Sequence, residues 1–178
     1  MKKLSEIWAR RTTRAYAHTG LVTQKNMELF FEAAMQAPSS GNAQPWRFWY
    51  AKTDSAQGEK LLALLAPKNA AWAKDADWLV LVGAAKFRTT ASGEVKLNDK
   101  AHFDTGAACL NFVLQVFHSG FACATVGGFS KEEAAALIDD DAVEPLVIIV
   151  VGSPAHYERI EAKRNSVEQH VQQLSDPN

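Results

Sequence analysis

Between residues 24 and 37 the apolar positions Met27, Phe30, Phe31 and Ala34 recur at i, i+3, i+4 and i+7, the spacing of a helix with one buried face, and Pro38 sets its end. A longer stripe, Phe103, Ala107, Leu110, Asn111, Leu114 and Phe117, predicts another helix closing at Ser119-Gly120. Gly106, Ala107 and Ala108 are small enough for a neighbouring helix to approach closely, which makes this element a natural dimer spine. Near the start, Leu4, Ile7, Trp8 and Arg11 share a helical face and predict a short helix that delivers a basic cluster at its C-terminal end, where the helix dipole favours cations. Leu61, Leu62, Leu64 and Leu65 mark a helix that ends by Pro67, and Ser130-Lys131-Glu132-Glu133 reads as a capping box opening one more.

Strand patterns lie between these helices. Trp46, Phe48 and Tyr50 alternate with Arg47, Trp49 and Ala51, while 78–83 and 145–152 are nearly continuous apolar runs. Residues 68–77 read as a connector, and the polar stretch 88–100 reads as a flexible segment, either a lid or a loop. Strands separated by helices, with few hairpin signals, predict a layered α+β or α/β architecture. No repeat and no boundary interrupts it, so the expectation is one domain over residues 1–178.

Composition narrows the function classes. At 178 residues, 47% of them hydrophobic, the chain can bury an ordinary core, and a formal net charge of -1 argues against a dedicated nucleic-acid binder. No apolar run reaches the roughly 18 residues of a membrane span, and the N-terminus carries no targeting pattern, so a cytoplasmic protein without membrane partners is expected. Two cysteines, Cys109 and Cys123, suit a reducing compartment. The five histidines are scattered, without metal-ligand spacing, and neither a Rossmann glycine fingerprint nor a P-loop occurs.

Candidate chemistry begins with Arg10-Arg11-Thr12-Thr13-Arg14. Forked, permanently charged guanidiniums grip phosphate oxygens bidentately and short hydroxyls add neutral donors; the plain alternative is a solvated helix end. Pro38-Ser39-Ser40-Gly41-Asn42-Ala43-Gln44-Pro45 is dense in turn formers and hydrogen-bonding side chains, either a surface connector or a ligand cradle.

Taken together, 10–16 (Arg-Arg-Thr-Thr-Arg-Ala-Tyr) and 37–48, through Trp46-Arg47-Phe48, resemble the nitroreductase family of flavin mononucleotide (FMN) enzymes. Gly120-Phe121 leading to Val126-Gly127-Gly128-Phe129 resembles the family's glycine-containing loop, and Lys163-Arg164 its C-terminal basic motif. The resemblance implies an α+β fold, a central mostly antiparallel or mixed sheet flanked by helices, in an intertwined homodimer with flavin sites lined by both chains. It implies that Arg10, Thr12 and Arg164 hold the phosphate, with Arg11 contributing through backbone or side chain and Arg14 reaching the pyrimidine edge of the ring. Pro38, Ser39, Ser40, Asn42 and Gln44 would come from the second chain; Asn69 would bond the ring, and Val126-Gly127-Gly128 would offer a backbone N–H to flavin N5.

The implied activity is ping-pong hydride transfer from NADH or NADPH through flavin N5 to an electron-poor small molecule such as a nitroaromatic or quinone. The flavin carries the chemistry, so no catalytic side chain is expected. Thr12 stands where serine is common in the family, Trp72 where a lysine is, and Lys163 is offset from the second phosphate cation. Two readings compete: a flavin-binding protein that stores or senses the cofactor, and a dimeric interaction module without flavin.

Overall fold

The computed structural model describes residues 3–155 and 162–174. The elements run α1 (Ser5–Ala9), β1 (Tyr16–Ala17), α2 (Gln24–Met35), β2 (Trp46–Lys52), α3 (Ala56–Ala63), α4 (Pro67–Ala73), β3 (Trp78–Ala85), β4 (Phe87–Thr89), β5 (Val95–Leu97), α5 (Ala101–His118), β6 (Ala122–Val126), α6 (Lys131–Ile138) and β7 (Val143–Pro154). The longest strand, β7, organises the main sheet: it pairs with β3, β6 and β1, and β2 lies beyond β3. All of these pairings are antiparallel, so the expected α+β class holds, with the antiparallel form of its sheet.

Side chains on β3 alternate between two helical layers because successive residues of a strand face opposite sides. Trp78, Val80 and Val82 pack with Met27, Phe30 and Ala34 of α2 and with Ala108, Phe112 and Val116 of α5. Leu79 and Leu81 pack the other way, against Leu61, Ala73 and Ala134 of α3, α4 and α6. Phe30 meets Phe112 edge-on, 5.7 Å between centroids. Pro145 sits within β7 although it has no N–H for a ladder; it lies opposite Gly83, where the register shifts.

Several elements differ from the sequence reading. Helix α1 ends at Ala9, so the basic cluster follows it as non-helical chain from Arg10 (φ -56, ψ 133) instead of crowning its last turn. Pro67 opens α4 as well as ending the run before it, because proline's missing N–H costs nothing at the first helical position; the connector of 68–77 is therefore partly helical. Residues 87–97 form a β-hairpin, not a structureless lid, and Asn98 is buried at its exit. Strands β1 and β6 escaped detection, being short and broken by small residues. On α5 the buried face is Ala101, Thr105, Ala108, Phe112 and Val116, whereas the stripe read from sequence lies off the core, with Phe103 80% and Leu110 55% exposed.

Gly58 is tightly constrained. A Cβ there would fall 1.9 Å from the Lys52 carbonyl oxygen, a backbone atom that cannot swing away. Gly58→Ala is expected to lower stability by about 1–3 kcal/mol through overpacking, measurable by chemical denaturation.

Candidate functional site

The two basic segments, one from each end of the chain, meet in a cleft. Ile7, Trp8, Arg10, Arg11, Ala162 and Arg164 line a cavity of about 260 Å³. Arg11 Nη1 donates to the carbonyls of Trp8 (2.7 Å) and Arg10 (2.8 Å), while its buried Nε has no partner. Among the described residues no carboxylate pairs with Arg10, Arg11, Arg14 or Arg164. Guanidiniums gathered without counter-charge, one keeping an orphaned donor, make a site for an anion of phosphate type. Lys163 is exposed and outside this lining, so of the C-terminal basic pair it is Arg164 that lines the cleft.

Beyond Arg10 the chain shows the alternation of an extended segment: Thr12 exposed, Thr13 buried, Arg14 exposed. Tyr16 anchors its far end, with its hydroxyl 3.2 Å from the carbonyls of both Thr13 and Val150 and its ring stacked on Trp72 at 6.1 Å. Trp72 thus ties the segment bearing Arg14 to α4.

Asn69 belongs to that same helix, one turn before Trp72. Its Nδ2 donates to the Gly128 carbonyl at 3.1 Å, and the Ala66 N–H donates to the same oxygen at 3.0 Å. A Cβ on Gly128 would lie 2.8 Å from Asn69 Nδ2, so this contact requires glycine. Val126 is buried at the end of β6, and Gly127 and Gly128 are exposed after it. Asn69 and the 126–128 segment, read separately from the sequence, are therefore in contact.

The 38–45 loop has a rigid, locally defined shape. Gly41, Asn42 and Gln44 all take left-handed backbone conformations (φ 59, 55 and 46) around a short 3₁₀ turn, Ser40–Asn42. Ser39 Oγ accepts from Gln44 N at 3.0 Å, and Gln44 Nε2 donates to the Asn42 carbonyl at 3.3 Å. Ser40 N donates to Asp104 Oδ2 at 3.0 Å, which fastens the loop to the first turn of α5. Asp104 is a loop-holding residue that motif reading missed; its only trace in sequence is an acidic side chain in a helix's first turn. Arg88, also missed, reaches the loop from the hairpin, its Nη1 3.3 Å from where a Gly41 Cβ would stand.

Within one chain, this loop and the helix that leads into the arginine cleft are anchored at different ends of α5. The loop is fastened at Asp104, whereas α1, which leads into Arg10, is bonded through Glu6 to His118 at the opposite end of α5. At about 1.5 Å per residue those two anchors stand roughly 20 Å apart along the helix. Among the described residues, none of 38–44 lines the arginine cleft.

Neither cysteine is poised for chemistry. Burial pushes the Cys109 thiol up to about 11 and the Cys123 thiol up to about 12, the latter despite the nearby Arg10 charge that opposes the shift. Among the described residues no histidine, cysteine or carboxylate cluster could hold a metal ion, and no helix is long and apolar enough to cross a membrane.

Comparison with known proteins bears on the family and the fold. YdgI of Bacillus subtilis (strain 168), provisionally named an NAD(P)H nitroreductase, is 26% identical over 180 residues, covering 82% of this chain and 85% of its own. A crystal structure of an oxidoreductase containing FMN superposes with a TM-score of 0.82 at 27% identity, over 88% of this chain and 79% of that one. A nitroreductase family protein from Streptococcus pneumoniae TIGR4 shares the fold, with a TM-score of 0.81 at 18% identity over 97% of this chain and 100% of the other. The family model for nitroreductases matches residues 7–153, nearly all of the sheet and both helical layers, and the chain belongs to the nitroreductase family.

Proposed function

We propose that this chain is an FMN-dependent NAD(P)H oxidoreductase working as a homodimer, each flavin site assembled from two copies. The observation that carries the reading is the arginine cleft: Arg10, Arg11 and Arg164 converge from opposite ends of the sequence, with the Arg11 Nε orphaned and no carboxylate partner among the described residues. That donor set fits the FMN phosphate. Arg10, Thr12 and Arg164 hold it, with Arg11 bracing the turn. Arg14 faces the pyrimidine edge, where a cation stabilises negative charge on a reduced ring. Asn69 and the Val126-Gly127-Gly128 segment border the ring from α4 and β6, and the Pro38, Ser39, Ser40, Asn42 and Gln44 loop of a second copy covers it.

When bound, FMN supplies the two-electron redox chemistry between a reduced nicotinamide and an electron-poor acceptor. The protein's part is to bind, orient and exclude water. Donor and acceptor take turns in one pocket, a ping-pong order, and the acceptor is a small electron-poor molecule such as a nitroaromatic or quinone. The exposed stripe of α5, with Phe103, Leu110 and the small residue Gly106, supports the second copy as its cover. The chain acts as one domain across residues 1–178, and its two unpaired thiols suit the cytoplasm.

The test is an absorption spectrum of the purified, FMN-supplied protein before and after anaerobic NADPH or NADH. A yellow protein that bleaches with either, and recovers on adding a quinone, is the expected result. A yellow protein that neither donor bleaches is instead a flavin store or sensor; a colourless protein overturns the cofactor assignment.

A further inference from the structure

Helix α1 has a feature that the phosphate assignment leaves unused. Its five residues include none that is buried, with Ile7 and Trp8 exposed, as is the preceding Leu4, so packing contributes little to its placement. A cleft of about 590 Å³ separates it from α2 and α5, bounded by Leu4, Glu6 and Ile7 on one side and by Leu29, Leu114 and His118 among others opposite. A polar contact spans that cleft: His118 Nδ1 lies 2.9 Å from Glu6 Oε1. Five residues are too few to hold a helix without tertiary help. Arg10 begins where the helix ends, its N–H donating to the Glu6 carbonyl at 2.9 Å.

We infer that Glu6 and His118 form a clasp that positions the phosphate-binding arginines, and that they are positioning residues for FMN although neither touches it. The inference rests on the FMN reading above. The chain of connection is short: α5 is fixed in the core through Phe112 and Val116, His118 ends that helix, Glu6 bonds to it, and Arg10 and Arg11 follow within the next turn's length of chain. Without the clasp the arginines keep their chemistry but lose their address, and the cofactor must then restrain a mobile segment as it binds.

The electrostatics agree. The His118 N–H first, then backbone and Ser5 hydroxyl hydrogen bonds, hold the Glu6 carboxyl down at about 2, below its ordinary 4.5. A carboxyl with a lowered value contributes fully above about 4.5 and loses its contribution as pH falls toward 2, so the clasp is engaged at neutral pH. Among the residues that line the cleft the other charged group is Glu32 of α2; beside His118 the polar residues of α5 there are Asn111 and Gln115. Across this cleft, the side chain that bonds the Glu6 carboxylate is His118.

The experiment combines FMN titration by flavin fluorescence with amide hydrogen exchange on the whole chain, for wild type, Glu6→Ala, His118→Ala, the double variant and His118→Asn. Each single alanine variant is expected to weaken FMN binding about three- to fivefold, the scale of an exposed ion pair, with faster exchange confined to residues 5–11. The double variant is expected to be no worse than either single one, because both remove the same contact. His118→Asn, whose Nδ2 occupies the place of the imidazole Nδ1, is expected to recover most of the affinity. Unchanged affinity in the alanine variants, or full additivity in the double variant, overturns the clasp while the FMN reading stands. A wild type that binds no FMN overturns both, so the two failures are distinguishable.

Discussion

Replacing both Arg10 and Arg164 by alanine is expected to weaken FMN binding by about two to four orders of magnitude, since each charge-assisted contact to a phosphate is worth roughly tenfold to a hundredfold. The two side chains lie in one cleft, yet they come from near opposite ends of the sequence, so no local distortion explains a shared effect. Equilibrium dialysis or flavin fluorescence gives the affinity, and circular dichroism checks that the fold survives. Lys163→Ala is the internal control: its side chain lies outside the lining, so a change of less than about threefold is expected, as for an ordinary surface charge. Retention of FMN by the double variant at wild-type affinity would remove the phosphate assignment.

Mixing two inactive variants is expected to restore flavin binding. In a mixed dimer, the Arg10→Ala, Arg164→Ala chain supplies an intact 38–44 loop, and an Asn42→Val chain supplies intact arginines. Asn42 has φ 55, a left-handed conformation that asparagine tolerates and a β-branched residue resists, so valine distorts the loop without touching the cleft. Each pure variant is expected to bind FMN weakly. Each mixed dimer carries one intact site, and colour returns after subunit exchange. The expectation follows from α5: at about 1.5 Å per residue, Asp104, which anchors the loop, and His118, which anchors α1, stand roughly 20 Å apart along it. Mixed dimers that form by native mass spectrometry yet stay colourless would show that the sites are not shared in this way.

Much of the secondary structure was legible because burial leaves a periodic trace. Met27, Phe30 and Ala34 marked α2, and Trp78 to Gly83 marked β3, as their spacing predicts. On α5 the apolar stripe marked the helix itself, but its large residues Phe103 and Leu110 are exposed, and a different face, with Phe112 and Val116, enters this chain's core. Hydrophobicity reports that a face is to be covered; it does not say by what. Short strands such as β1 and the β4–β5 hairpin carry too few residues for a period, and are decided by the partners that pair with them.

For the candidate site, sequence alone determined the chemical inventory: the arginines near the start and at Arg164, the turn-forming loop around Gly41, and the glycines at 127 and 128, each recognisable because charge and backbone permissiveness belong to single residues. Only the tertiary structure decided which of these meet. It joined Arg10 to Arg164 and Asn69 to Gly128, held the loop at the far end of α5, and set Glu6 against His118. The reason is that a hydrogen bond or a shared cleft is a property of pairs of residues, and pairs distant along the chain acquire a separation only when the sheet and its two helical layers have packed.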